Sequence, residues 1–166
     1  SVIQQKFAAD YKNGDMEAFK ANAEAFDALI SDMDTLLATR KEFLLGVWLE
    51  SAKAMGTTPE ESALYEQNAR NLLGTWGNKD CKLFDYACKQ WSGMMNGYYR
   101  QRWNLFFEDV LANWGHFEQN DFAQKCKDYE WNWIFETDCF PTEKSGDEIE
   151  VVKSLWNKYN TTLLNE

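Results

Sequence analysis

The clearest hydrophobic rhythm in the chain is Phe19, Ala23, Phe26, Ile30, Met33 and Leu37, spaced 4, 3, 4, 3 and 4 residues apart. That spacing lines one face of a helix. Asn13-Gly14-Asp15 stands before it, with Asp15 as the N-cap, so the pattern predicts a helix from about Asp15 to Ala38. Val2, Ile3 and Phe7 already follow a helical pattern ahead of it. Thr39 and Arg40 make a short break, and Phe43, Leu44, Val47, Trp48 and Met55 carry a further helix that stops at Gly56. Thr57-Thr58-Pro59-Glu60-Glu61 is the sharpest local signal: Thr58 caps, Pro59 takes the first helical position and Glu61 completes a capping box. The helix it starts is expected to run through Tyr65, Ala69, Leu72 and Trp76 to Gly77. After a polar loop, a long helix is predicted from about Leu83 through Trp91, Met94, Met95, Tyr98, Tyr99, Trp103, Phe106, Val110 and Trp114, with Gly93 and Gly97 marking a bend or a close crossing. Phe122, Cys126, Tyr129 and Trp133 predict another helix. Phe140-Pro141 to Gly146 reads as a loop, and Ile149, Val152 and Trp156 as a last short helix.

The expected fold is therefore all-α, a compact bundle of about six helices in one domain over residues 1–166. Composition supports it. Val and Ile together number 9, too few for buried parallel strands, and the 2 Pro leave room for long helices. Aromatics make up 16% of residues, 8 of them Trp, which calls for an aromatic core or an aromatic-lined cleft. A net charge of −10 with no basic block argues against nucleic acid. No apolar run reaches the ~20 residues of a membrane span, and no signal peptide is read. The start at Ser1, already within a helical pattern, reads as a piece excised from a longer protein. The 4 Cys (Cys81, Cys88, Cys126, Cys139) form no CxxC pair, and the lone His116 does not complete a zinc set. They permit three disulfide pairings, and mostly free thiols are expected of a domain this size.

Three segments go beyond a generic bundle: Leu36 to Glu50 (LLATRKEFLLGVWLE), Tyr65 to Gly77 (YEQNARNLLGTWG), and Asp85 to Gly93 (DYACKQWSG) continuing to Tyr98-Tyr99-Arg100-Gln101-Arg102-Trp103. Their order, spacing and residue types resemble the C-terminal helical domain of the α-N-acetylglucosaminidases, glycoside hydrolase family 89. The resemblance is strong over about residues 27–110 and looser elsewhere. It implies a parent enzyme in which a (β/α)8 barrel carries the two catalytic glutamates, while the helical domain packs on the barrel and closes one side of the cleft. The implied reaction is exo-hydrolysis of terminal α-linked N-acetylglucosamine with retention. On that reading this chain holds no catalytic pair, no cofactor and no metal. Its partners are the barrel and the glycan, and its parent is exported. A retaining pair needs carboxyls about 5–5.5 Å apart. Glu42, Glu50, Glu60 and Glu61 are the surface candidates, and each is more simply a cap or a solvated charge.

Trp76, Leu83 and Tyr86 are the cleft-wall residues the resemblance implies. Trp76 could stack on the apolar face of a sugar ring or close the helix end as a core residue. Tyr86 could reach a sugar hydroxyl or pack, and Leu83 offers an apolar contact. Arg70, Asp85, Trp91, Arg102 and Trp103 read as structural or interdomain residues. Asp85 suits a first helical turn, the arginine forks suit an ion pair or a carbonyl, and the tryptophans belong to an aromatic stripe. His116 reads as a loop residue, and Asn160-Thr161-Thr162 as a sequon of little weight. Two other readings stay open: a stand-alone helical module that binds a carbohydrate or a protein, and a purely structural domain.

Overall fold

The computed structural model describes residues 2–81 and 87–164, with side chains through residue 161. Seven α-helices stand among the described residues, against about six expected. They are α1 (Val2–Asn13), α2 (Met16–Leu37), α3 (Leu45–Lys53), α4 (Pro59–Leu73), α5 (Arg100–Ala112), α6 (Gln119–Trp133) and α7 (Glu148–Leu164). A 3₁₀ turn over Lys41–Phe43 precedes α3, and a π-helical turn over Met95–Tyr99 leads into α5. No β-strand occurs among the described residues. One parallel bridge there joins Leu44 to Ser92.

The predicted start signals are used. Gly14 takes φ of 74°, which turns α1 back onto α2. Asp15 caps α2 by accepting the Ala18 N–H at 3.0 Å. At α4, the Thr58 hydroxyl accepts the Glu61 N–H at 3.2 Å. The Glu61 carboxylate reaches back to the N–H and hydroxyl of Thr57, at 2.8 and 2.6 Å, one residue earlier than the capping box predicts. Those bonds to Thr57 hold the Glu61 carboxyl below its ordinary range.

Two buried clusters result. The first joins α1, α2 and α5 through Ile3, Phe7, Phe19, Ala23, Phe26, Ile30, Met95, Phe107 and Val110. Phe7 meets Phe19, Phe26 and Phe107 edge-on with ring centroids 5.2–5.9 Å apart. The second joins α3, α4, the π turn and α6 through Leu45, Leu49, Ala52, Ala69, Leu73, Met94, Tyr98 and Trp133. Adjacent Met94 and Met95 thus point into different clusters, and the segment leading into α5 ties the two together.

Several expectations need correction. The long helix does not extend back to Leu83: among described residues, 87–93 are non-helical and helix begins at Met94. The cause is Gly93, whose φ of 92° breaks helical geometry. A carboxylate from α2 then caps the new helix. Asp34 accepts the N–H groups of Gly93 and Asn96 at 2.7 and 3.1 Å and the Ser92 hydroxyl at 3.0 Å. Gly97 lies inside the π turn, where the Tyr129 hydroxyl donates to its carbonyl at 2.8 Å and Phe140 packs on it. The stripe on α2 also shifts: Asp34 is buried and Met33 exposed, as a strict heptad drifts around a straight helix. In α3 the buried positions are Leu45, Gly46, Leu49 and Ala52, while Trp48 and the flanking Phe43 and Met55 are exposed. In α4 they are Glu66, Ala69, Arg70 and Leu73, while Tyr65 and Leu72 are exposed. That helix ends at Leu73 rather than running through Trp76 to Gly77.

α7 is tethered by polar contacts. Lys158 and Tyr159 bond Asp32 at 2.6 and 2.5 Å, and Arg40 pairs with Glu148 at 2.9 Å. Its Ile149, Val152 and Trp156, on one helical stripe, are 56%, 49% and 54% exposed, so the helix expected to bury them does not.

Candidate functional site: the end of helix α4

The last turn of α4 does two jobs with adjacent residues. Arg70 points inward and is fully buried. Its guanidinium donates to Glu66 Oε1 from Nε at 3.2 Å and from Nη2 at 3.0 Å. Nη2 also donates to the Asp138 carbonyl at 3.0 Å. The rings of Trp133 and Phe140 lie 5.0 and 5.5 Å from its Cζ. An Arg planar fork suits such a mixed bed of carboxylate, carbonyl and aromatic faces.

Asn71, the next residue, fixes the chain beyond the helix end. Its carbonyl accepts the Trp76 N–H at 2.8 Å. Its side-chain amide donates to the Gly77 carbonyl at 3.0 Å, and its side-chain oxygen accepts the Thr75 hydroxyl at 3.0 Å. The Thr75 oxygen also lies 3.2 Å from the Gly77 carbonyl. Inside this cage Trp76 sits at φ of 58° with 41% of its surface exposed. A left-handed backbone at a bulky residue costs on the order of 1–3 kcal/mol and persists only when its surroundings over-determine it. Trp76 therefore does not close the helix end as a core residue; it stands at the surface, held by its neighbours.

The polar loop after Gly77 is anchored as well. The Asn78 side chain accepts the Asp80 N–H at 3.1 Å, the Asn78 carbonyl accepts the Cys81 N–H at 3.0 Å, and Lys79 pairs with Asp128 of α6 at 2.6 Å. Leu83, Asp85 and Tyr86 lie outside the described residues. Beyond them Cys88 has φ of 46° and is exposed. Cys81 and Cys139 carry free thiols.

The remaining predicted residues are spread through the domain. Trp91 is half-buried, 5.9 Å from the Trp48 ring with Lys89 over it at 5.5 Å, and lies in the non-helical segment rather than on a helical stripe. Trp103 packs in the first cluster, 4.7 Å from Phe26. Arg102 donates to Glu130 at 2.8 Å and covers Tyr98 and Tyr99. His116 is in the loop after α5. Glu50 pairs with Lys53 at 2.8 Å and Glu42 lies 3.7 Å from Arg40.

Asn71, Thr75, Glu66 and Glu136 are the residues that sequence reasoning passed over. Asn and Thr near a helix end followed by Gly are the available signal, because their side chains bond nearby backbone. Glu60, Glu66 and Glu136 line a cavity of about 390 Å³ beside α4. Burial, and then the neighbouring Asp138, push the Glu136 carboxyl above its ordinary range, with Arg70 opposing. An apolar cavity of about 480 Å³ between α1, α5 and α6 is lined by Phe7, Trp103, Phe106 and Phe122, away from Trp76. Among the described residues no group of three or more His, Cys, Asp or Glu is set to hold a metal ion.

A sequence model of the family described as alpha-N-acetylglucosaminidase (NAGLU) C-terminal domain matches residues 1–158. The human protein named alpha-N-acetylglucosaminidase is 35% identical over 134 residues, which is 79% of this chain and 18% of that protein. Among solved structures, a family 89 glycoside hydrolase from Clostridium perfringens with 2-acetamido-1,2-dideoxynojirmycin superposes with a TM-score of 0.81 at 31% identity, covering 95% of this chain and 19% of that one. The same organism's family 89 enzyme with PUGNAc gives a TM-score of 0.84 at 30% identity over 99% of this chain and 20% of the other. A further structure from that organism holds its substrate GlcNAc-α-1,4-galactose, again at a TM-score of 0.81 and 31% identity. This chain thus spans about a fifth of the length of the proteins it matches, and with the family model covering nearly all of it, the chain belongs to the C-terminal domain family of the α-N-acetylglucosaminidases.

Proposed function

We propose that this chain is a single domain, residues 1–166, of an exo-acting α-N-acetylglucosaminidase. It serves as one wall of the cleft in which terminal non-reducing α-linked N-acetylglucosamine is hydrolysed. The catalytic carboxylates belong to the barrel of the same polypeptide, so the helical domain alone does no chemistry. Trp76 carries the reading. An exposed tryptophan whose backbone is fixed just beyond a helix end suits the apolar C–H face of a sugar ring. Leu83 and Tyr86 join it as cleft residues by family resemblance.

The surface supports a missing partner. Ile149, Val152 and Trp156 of α7 form an exposed apolar stripe, and Trp48 and Leu72 are exposed on α3 and α4. Exposed apolar side chains lined up as they are on α7 mark an interaction surface, and the barrel is the partner we assign to it. Arg70, Arg102, Trp91 and Trp103 then hold the helices that present this surface. No described helix is long and apolar enough to cross a membrane; export of the parent is part of the same reading.

Hydrolysis of an aryl α-N-acetylglucosaminide tests it. The parent enzyme turns the substrate over, Trp76→Ala in the parent raises KM, and the isolated chain is inert. Turnover by the isolated chain overturns the assignment of the chemistry to the barrel. Saturable sub-millimolar binding of N-acetylglucosamine to the isolated chain, read by tryptophan fluorescence, favours a stand-alone binding module instead.

A further inference from the structure

We infer that Asn71 and Thr75 are positioning residues for Trp76, and that they set its indole where the sugar ring is bound. The inference rests on the reading of Trp76 as a cleft residue and deepens it.

The geometry is local and specific. Asn71 engages the segment 75–77 through three groups: its carbonyl to the Trp76 N–H, its amide to the Gly77 carbonyl, and its side-chain oxygen to the Thr75 hydroxyl. Among the described residues, the side-chain hydrogen bonds of Asn71 and Thr75 stay within 71–77. Arg70 beside them differs, since it reaches across to Asp138. What Asn71 and Thr75 hold is a tryptophan at φ of 58°. The left-handed region is disfavoured at any residue with a Cβ, and relaxation to negative φ redirects the Cα–Cβ bond and carries the ring with it. Thr75 is buried, so its hydroxyl bonds are partly shielded from competing water, whereas Trp76 beside it is exposed. A cage that fixes the backbone of an exposed tryptophan fits preorganisation of a contact better than closure of a helix.

The test uses the full-length parent enzyme and steady-state hydrolysis of an aryl α-N-acetylglucosaminide. Thr75→Val keeps the shape and removes the hydroxyl; Thr75→Ser keeps the hydroxyl. Thr75→Val is expected to raise KM about tenfold towards the value of Trp76→Ala, the size of one lost hydrogen bond's worth of fixed geometry. Thr75→Ser is expected to stay near the wild type. Adding Thr75→Val to Trp76→Ala is expected to change KM no further, because nothing is left to position. A merely structural role would lower the unfolding midpoint without this KM pattern and would add to Trp76→Ala. Should Thr75→Val fail to fold, Asn71→Asp, which keeps the acceptor for Thr75 and loses the donor to Gly77, carries the same comparison. Trp76→Ala raising KM while Thr75→Val and Asn71→Asp leave it unchanged overturns the positioning role alone. Trp76→Ala with unchanged KM overturns both this inference and the cleft-wall reading.

Discussion

The two buried clusters of this domain are built on opposite principles. The first, around Phe7, Phe19, Phe26 and Phe107, is apolar throughout and assembled from edge-to-face aromatic rings on α1, α2 and α5. The second, around Leu45, Met94 and Trp133, contains Tyr98 and encloses the guanidinium of Arg70 with its Glu66 partner. Dispersion and hydrophobic burial hold the first, and they are tolerant of small shifts. Charge and hydrogen-bond geometry are added in the second, and there an ion pair contributes direction more than net stability, because desolvation offsets much of its attraction. The residue after Arg70 begins the cage around Trp76. The domain thus places its proposed functional edge next to its directional core and leaves bulk stability to the aromatic one.

Substitutions can break this comparison. The largest effect is expected in the aromatic cluster: Phe19→Ala should cost about 4 kcal/mol in urea unfolding, through lost burial and the cavity left behind, while amide exchange at Trp76 stays slow. In the second cluster Arg70→Ala should cost about 3 kcal/mol, because the buried Glu66 then loses its two hydrogen bonds from the guanidinium and, among the described residues, keeps only Lys53, 3.9 Å away. Replacing both partners, Glu66→Leu with Arg70→Met, should recover most of that loss. A double variant as unstable as the single one would show that packing rather than charge dominates there. Between the clusters, Asp34→Ala should cost about 2 kcal/mol, since it removes three hydrogen bonds from the start of the π turn. Asp34→Asn should cost less.

The smallest effect carries a pH signature. Arg100 grips Asp27 with two bonds of 2.6 Å, which hold the Asp27 carboxyl below its ordinary 3.8. A lowered folded-state value means that the contribution is complete above pH 3.8 and is lost as pH falls through the folded value. Arg100→Ala should therefore cost about 1–2 kcal/mol at about pH 6. In acid the gap to wild type should close, as followed by thermal unfolding from about pH 7 down to about pH 2. A gap that persists at the acid end would assign the effect to packing of the arginine stem instead.

Start signals were legible residue by residue. Asp15 and Thr58 cap because a short polar side chain can reach an N–H two or three residues on, whatever the rest of the chain does. The glycosidase family was legible too, carried by the three segments from Leu36 to Trp103. Which face each helix buries was less so. Tyr65, Leu72, Trp48 and the α7 stripe are apolar yet exposed, because hydrophobic spacing records the need for cover without saying whether this domain or a neighbour supplies it. The helix start at Met94 was hidden for a different reason. Its cap, Asp34, stands 59 residues before Gly93, just off the apolar stripe, where it reads as a surface charge.

The amino-acid sequence by itself determined that the chain is all-helical and where α2 and α4 begin. Those properties come from local propensity, capping and short-range periodicity. Only the tertiary structure decided that Arg70 turns inward, that Gly93 ends the run before α5, and that Trp76 lies beyond its helix at a positive φ. The first two depend on a partner brought close by folding, Asp138 for Arg70 and Asp34 for Gly93, and the third on the local Asn71–Thr75 cage that closes once α4 has ended at Leu73.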